Sequence, residues 1–88
     1  MKIKDDFYMK EVAGLNVVVA TGETAQNMNA MINLNESGAF LWKQLENDIT
    51  REELIQRLTE EYDVDCDKAS ISVDKFISKL KEIGCLSF

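Results

Sequence analysis

Three aspartates at alternate positions, Asp63, Asp65 and Asp67, are the most metal-like grouping in this chain. Calcium loops space carboxylates in that way, but they also need a glycine at the sharp turn and a distal glutamate, and both are missing at the required spacing. The paired carboxylates Asp5-Asp6, Glu52-Glu53 and Glu60-Glu61 could serve acid–base chemistry only in a pocket that shifts their pKa. Such runs at helix ends read instead as solvated faces and caps. Ser37, between Glu36 and Gly38, would need a base to become a nucleophile, and the chain has no histidine to supply one. The same lack removes a common zinc ligand. Gly14, Gly22, Gly38 and Gly84 are scattered, and none forms a glycine-rich phosphate loop followed by Lys and Ser/Thr. These residues imply no catalytic site, no metal and no cofactor.

The elements that carry these residues fall into two halves. Phe7 to Val12 is rich in aromatic and apolar residues, Ala13-Gly14 is a turn signal, and Leu15 to Ala20 contains a β-branched run. Two such runs around two residues predict a hairpin. Thr21 to Asn27 is polar and reads as a loop, and Ala30 to Leu34 offers a third strand. In that strand Ala30, Ile32 and Leu34 share one face, and Met31 and Asn33 share the other.

Three helices follow. Asn35 can cap a helix from Glu36 to about Glu46, with Ala39, Phe40, Leu41, Trp42 and Leu45 as its apolar stripe. Trp42 inside that stripe reads as core. Thr50 with Glu53 three residues on is a capping box, followed by Leu54, Ile55, Leu58 and Tyr62 at helical spacing. Asp65 caps a third helix from about Cys66 to Ile83, which Gly84 stops. Its stripe is Ala69, Val73, Phe76, Ile77, Leu80 and Ile83. Strands followed by helices indicate an α+β domain, a three-stranded antiparallel sheet with a winged helix-turn-helix-like trio of helices. The 88 residues fit one domain, 1–88, with residues 1–6 expected to be flexible.

Composition sets the class of partner. Apolar residues make up 45% and charged residues 30%, with a net charge of −6, so a folded globular protein is expected rather than a disordered one. No run approaches the roughly 20 apolar residues of a membrane span, and Met1 to Asp6 lacks a secretion signal's apolar core. The expected location is the cytoplasm, with no membrane partner. Cys66 and Cys85 bracket the third helix, which would hold them roughly 28 Å apart, too far for a disulfide; free thiols suit a reducing compartment.

Two binding functions compete. A winged-helix transcriptional regulator would present the third helix to DNA. That helix carries Lys68, Lys75, Lys79 and Lys81, but also Asp67, Asp74 and Glu82, and it has no arginine to read guanine edges. No nucleic-acid partner is therefore expected. The alternative is the groove between the open edge of the third strand and the third helix. An extended peptide can join such an edge by backbone pairing, with side-chain pockets providing selectivity. On a helical wheel, Ile71, Ser72, Lys75 and Lys79 flank the core stripe, which suits a peptide with apolar and acidic side chains.

Leu34-Asn35-Glu36-Ser37-Gly38-Ala39-Phe40-Leu41-Trp42 resembles the LNxxGxxLW signature of the PqqD-like proteins, also called RiPP recognition elements after the ribosomally made peptides they serve. Glu11 to Gly14, Thr50 to Glu53, Glu61 to Asp65, Asp74 to Leu80 and Ile83 to Leu86 are similar to other family stretches, so the resemblance spans roughly residues 7 to 86. It implies a non-catalytic protein that holds the leader segment of a precursor peptide as an added strand. It also implies a separate modifying enzyme, often a radical S-adenosylmethionine enzyme, which would own any iron–sulfur cluster. Carried over by position, the peptide edge falls at Asn29, Ala30, Met31, Ile32 and Asn33. The helix side falls at Ile71, Lys75 and Lys79, joined by Ser72 from the wheel. The leader's apolar side chains would then enter a groove lined by Met31 and Ile71, and its acidic ones would meet Lys75 and Lys79.

Overall fold

In the computed structural model, which describes residues 1–21 and 32–87, the chain runs β1 (Lys2–Ile3), β2 (Phe7–Val12), β3 (Leu15–Ala20), β4 (Ile32–Leu34), α1 (Glu36–Leu45), α2 (Arg51–Tyr62), α3 (Cys66–Ile83) and β5 (Leu86–Ser87). The expected hairpin forms: β2 and β3 pair antiparallel from Phe7 opposite Ala20 to Val12 opposite Leu15. Ala13 and Gly14 connect them at φ 53° and 82°. Positive φ at both central residues matches the right-handed twist of the flanking strands, and glycine adopts it without a side-chain clash. β4 pairs antiparallel with β3, Asn16 opposite Leu34 and Val18 opposite Ile32, which gives the order β2-β3-β4 and the expected α+β architecture. The predicted strand residues Asn29, Ala30 and Met31, and all of the predicted loop after Thr21, lie outside the described residues.

Register decides which side of the sheet is buried. Phe7, Val18 and Leu34 face the helices and are buried among them. On the outer side Tyr8, Val12 and Leu15 stay exposed, while Val17, central in the row Lys10–Val17–Asn33, is buried. Beneath the inner face, Trp42 and Leu45 of α1, Leu54 of α2 and Val73 and Leu80 of α3 are almost wholly enclosed. Each such side chain contributes about 1.5–3 kcal/mol through removal from water.

The helix ends obey local capping chemistry. The Asn35 side chain accepts from the Gly38 amide and the Asp65 side chain from the Lys68 amide, at 2.8 Å each. Thr50 and Glu53 form the reciprocal capping box. Asp63 ends α2 in the left-handed conformation and Gly84 ends α3 in the same way. The aspartates considered as a calcium loop are thus a helix stop, Asp63, and a helix cap, Asp65. Between α2 and α3, Arg51 grips Asp74 with both nitrogens, Nε–Oδ1 2.6 Å and Nη2–Oδ2 2.9 Å, and reaches the Ser70 hydroxyl at 2.8 Å.

Residues 1–6, expected to be flexible, contain β1, which pairs antiparallel with β5: Lys2 opposite Ser87 and Ile3 opposite Leu86. The Lys4 amide donates to the Cys85 carbonyl at 2.8 Å and extends the clasp. Ile3 and Leu86 are buried, so the strands are held by their apolar side chains as well as by their backbone. Nothing local announces two-residue strands whose partners lie at opposite ends of the sequence.

Both cysteines are free, Cys66 exposed and Cys85 buried. Burial pushes the Cys85 thiol up to about 11 from an ordinary 9.0, with Lys4 opposing the shift. An unfolded chain releases that proton near 9.0 while the folded chain keeps it, so stability should fall as pH rises through that window and be unaffected by this group below it. Thermal melts from about pH 8 to about pH 10.5 should show a falling Tm, with a shallower fall in Cys85→Ala. In a native-state thiol titration Cys66 should react quickly and Cys85 only as the protein unfolds.

Candidate functional site

The chain leaves the sheet and enters α1 with only Asn35 between them. Asn35 is extended, at φ −73° and ψ 178°, and its Oδ1 accepts from the Gly38 amide at 2.8 Å and the Ser37 hydroxyl at 3.2 Å. That short junction brings the end of β4 against the first turn of α1. A Cβ built on Gly38 would sit 3.0 Å from Asn35 Oδ1 and 3.5 Å from both Leu34 Cβ and Phe76 Cε1. Gly38 therefore marks the point where strand, cap and α3 converge.

Beside this point an open groove of about 300 Å³ runs between β4 and α3. Asn33 and Leu34 form the strand side, and Gly38 and Leu41 reach in from α1. Ser72, Lys75, Phe76 and Lys79 form the α3 side. These four span two turns of helix, so the groove follows α3 for roughly 10 Å. Its floor is apolar, since Leu34 and Leu41 are buried and Phe76 is half-buried, and its α3 rim is polar. Only one side of β4 pairs with a described strand. The other carries backbone donors and acceptors with no ladder partner among the described residues.

Of the positions expected to bind, the structure gathers Asn33, Ser72, Lys75 and Lys79 along this one groove. Ile32 lies in β4 immediately before Asn33. Asn29, Ala30 and Met31 are outside the described residues. Ile71 does not line the groove; it is 57% exposed. It sits about a quarter turn from Ser72 and nearly opposite the buried stripe, so it points to solvent rather than toward the strand. The sequence marks the floor residues Leu34, Leu41 and Phe76 only as core or signature positions. Their signal was the coincidence of a glycine in the first turn of α1 with an aromatic residue at the flank of the α3 stripe.

A second hollow of about 480 Å³ lies on the other flank of α1, between the hairpin turn and Tyr62. Phe40 and Tyr62 meet there edge to face at 5.7 Å, and the Tyr62 hydroxyl donates to the Glu36 carbonyl at 3.3 Å. Burial, with Glu36 and Glu61 adding to it, raises the Tyr62 pKa. This hollow is larger but has no strand edge running along it, so it offers a peptide backbone no ladder. Among the described residues no group of three or more His, Cys, Asp or Glu could hold a metal ion, and no helix is long and apolar enough to cross a membrane.

The sequence matches the family described as Coenzyme PQQ synthesis protein D (PqqD) over residues 16–86. The chain belongs to the PqqD family. No curated protein matches the sequence. Among solved structures, TbiB1 in complex with the TbiA(beta) leader peptide is similar at a TM-score of 0.74 and 24% identity, covering 99% of this chain and 100% of that one. Lasso peptide synthetase B1 complexed with the leader peptide is similar at a TM-score of 0.76 and 19% identity, covering 96% and 93%. At these identities the likeness shows a common fold, here that of the PqqD family.

The cap at the groove's head has a measurable weight. Asn35→Ala should lower unfolding stability by about 1 kcal/mol in a urea titration, the usual effect of deleting an N-cap. Gly38→Ala should not gain the ~1 kcal/mol that alanine normally adds over glycine in a helix, because its Cβ presses on the capping oxygen. A clear stabilisation by Gly38→Ala would show that the junction is looser than these distances imply.

Proposed function

We propose that this chain is a non-catalytic recognition module that captures the leader segment of a ribosomally made precursor peptide and delivers it to a separate modifying enzyme. The observation that carries the reading is the edge of β4 that has no ladder partner among the described residues and faces an open, apolar-floored groove against α3. A leader strand added at that edge, from Asn29 to Asn33, would make backbone hydrogen bonds worth about 0.5–1.5 kcal/mol net each. Its inward side chains would cover Leu34, Leu41 and Phe76, at about 25 cal/mol per Å² of apolar area. Ordering a flexible peptide offsets part of both gains. Ser72, Lys75 and Lys79 would line the opposite wall, while Ile71 would lie outside the contact.

Membership of the PqqD family supports this reading, as does the fact that both similar structures are complexes with a leader peptide. The expected partner is a radical S-adenosylmethionine enzyme in the cytoplasm. Holding the leader would raise the concentration of the peptide's reactive portion at that enzyme, which is how a protein with no catalytic group of its own can accelerate a reaction.

The test is a titration with the leader of the precursor peptide encoded beside this chain's gene, followed by amide NMR. Shifts should concentrate at Ile32 to Leu34 and Ser72 to Lys79. Ser72→Trp, which fills the groove from an exposed position, should weaken binding by about tenfold or more without altering the circular dichroism spectrum. Shifts centred on the Phe40–Tyr62 hollow, or unchanged affinity in Ser72→Trp, would move the site elsewhere.

A further inference from the structure

The groove has a charge opposite to that of the protein around it. The chain carries sixteen Asp and Glu against ten Lys and Arg, yet among the described residues the groove lining contains Lys75 and Lys79 and not one Asp or Glu. Neither lysine makes an ion pair with a described residue, since the described pairs are Met1 with Asp48 and Arg51 with Asp74. The carboxylate next in sequence to Lys75 is engaged elsewhere: Arg51 holds Asp74 through two bonds on the α2 side of the helix. The two ammonium groups are therefore left to face whatever enters the groove.

Spacing makes the charge informative. Lys75 and Lys79 lie four residues apart on α3, about 6 Å along the helix axis. Side chains at i and i+2 of a strand are on one face, about 6.6 Å apart. The two spacings agree for a strand that runs along the same groove as α3.

We infer that the groove selects an acidic segment with carboxylates at alternate positions, i and i+2, one meeting Lys75 and the other Lys79. The inference rests on the peptide-binding reading and specifies the ligand's chemistry. The net charge of −6 repels an acidic peptide at long range, so a local pair of lysines is needed to make such a segment preferred. Exposed ion pairs are individually weak, and removing one carboxylate should reduce affinity by about two- to fivefold.

The experiment uses the whole chain and a displayed library of random fourteen-residue peptides. Selected peptides should be enriched in Asp or Glu at an i, i+2 spacing and should shift the amides of β4 and α3. In the double variant Lys75→Glu/Lys79→Glu, which alters exposed side chains with no ion pair among the described residues, the enrichment should change to Lys or Arg at the same spacing. Peptides that shift β4 and α3 but show no acidic pair, or no change of sign with the double variant, would overturn the inference and leave the groove as the binding site. Peptides that shift other surfaces, or no enrichment at all, would overturn both readings.

Discussion

Asn35 is the only residue between the sheet and the helices that follow, and the groove exists because of it. With a longer connection, β4 could end without touching α1. With this one, Leu34 enters the core, the Asn35 side chain caps the helix, and the next turn of α1 lies against both the strand end and Phe76. That explains why the LNxxGxxLW stretch reads as a unit. Leucine anchors the strand, asparagine provides the acceptor, glycine leaves room for it, Leu41 joins the groove floor, and Trp42 is buried in the core. Stability and site geometry are encoded together in nine residues.

The polar interactions around the groove are divided by side. On the flank of α3 that faces α2, Arg51, Ser70 and Asp74 form a closed set in which each charge has a partner, and the guanidinium holds the Asp74 carboxyl below the usual carboxylate range. On the flank that faces β4, Ser72, Lys75 and Lys79 have no side-chain partner among the described residues, and the floor is apolar. Exposed ion pairs add little to stability. The division matters more for what it leaves available than for how tightly it holds the helices.

Much of this was legible in the sequence, for a physical reason. Helix starts depend on residues three positions apart and helix stripes on a repeat of 3.6, so Asn35, Thr50, Asp65 and Gly84 placed α1, α2 and α3 almost to the residue. The hairpin was similarly local. The β1–β5 clasp was not, because two-residue strands carry no periodic signal and depend on partners that only the finished fold brings near. The groove falls between these cases. Ser72, Lys75 and Lys79 lie along the groove. Ile71, which the wheel reading grouped with them, lies nearly opposite the buried stripe of α3 and is exposed. Leu34, Leu41 and Phe76 have the opposite history: apolar side chains read as core, and their partly open edges became a floor only once β4 and α3 were set apart.

The clasp also fixes where the chain departs from its own body. Lys2 stands opposite Ser87 in an antiparallel pair, so the first and last strands lie side by side. A tether attached at the front and one attached at the back therefore begin from a common origin. A short linker could join the two ends into a ring, or seat the whole unit as an insert within a loop of a larger protein, at the small entropic cost of closing a short loop.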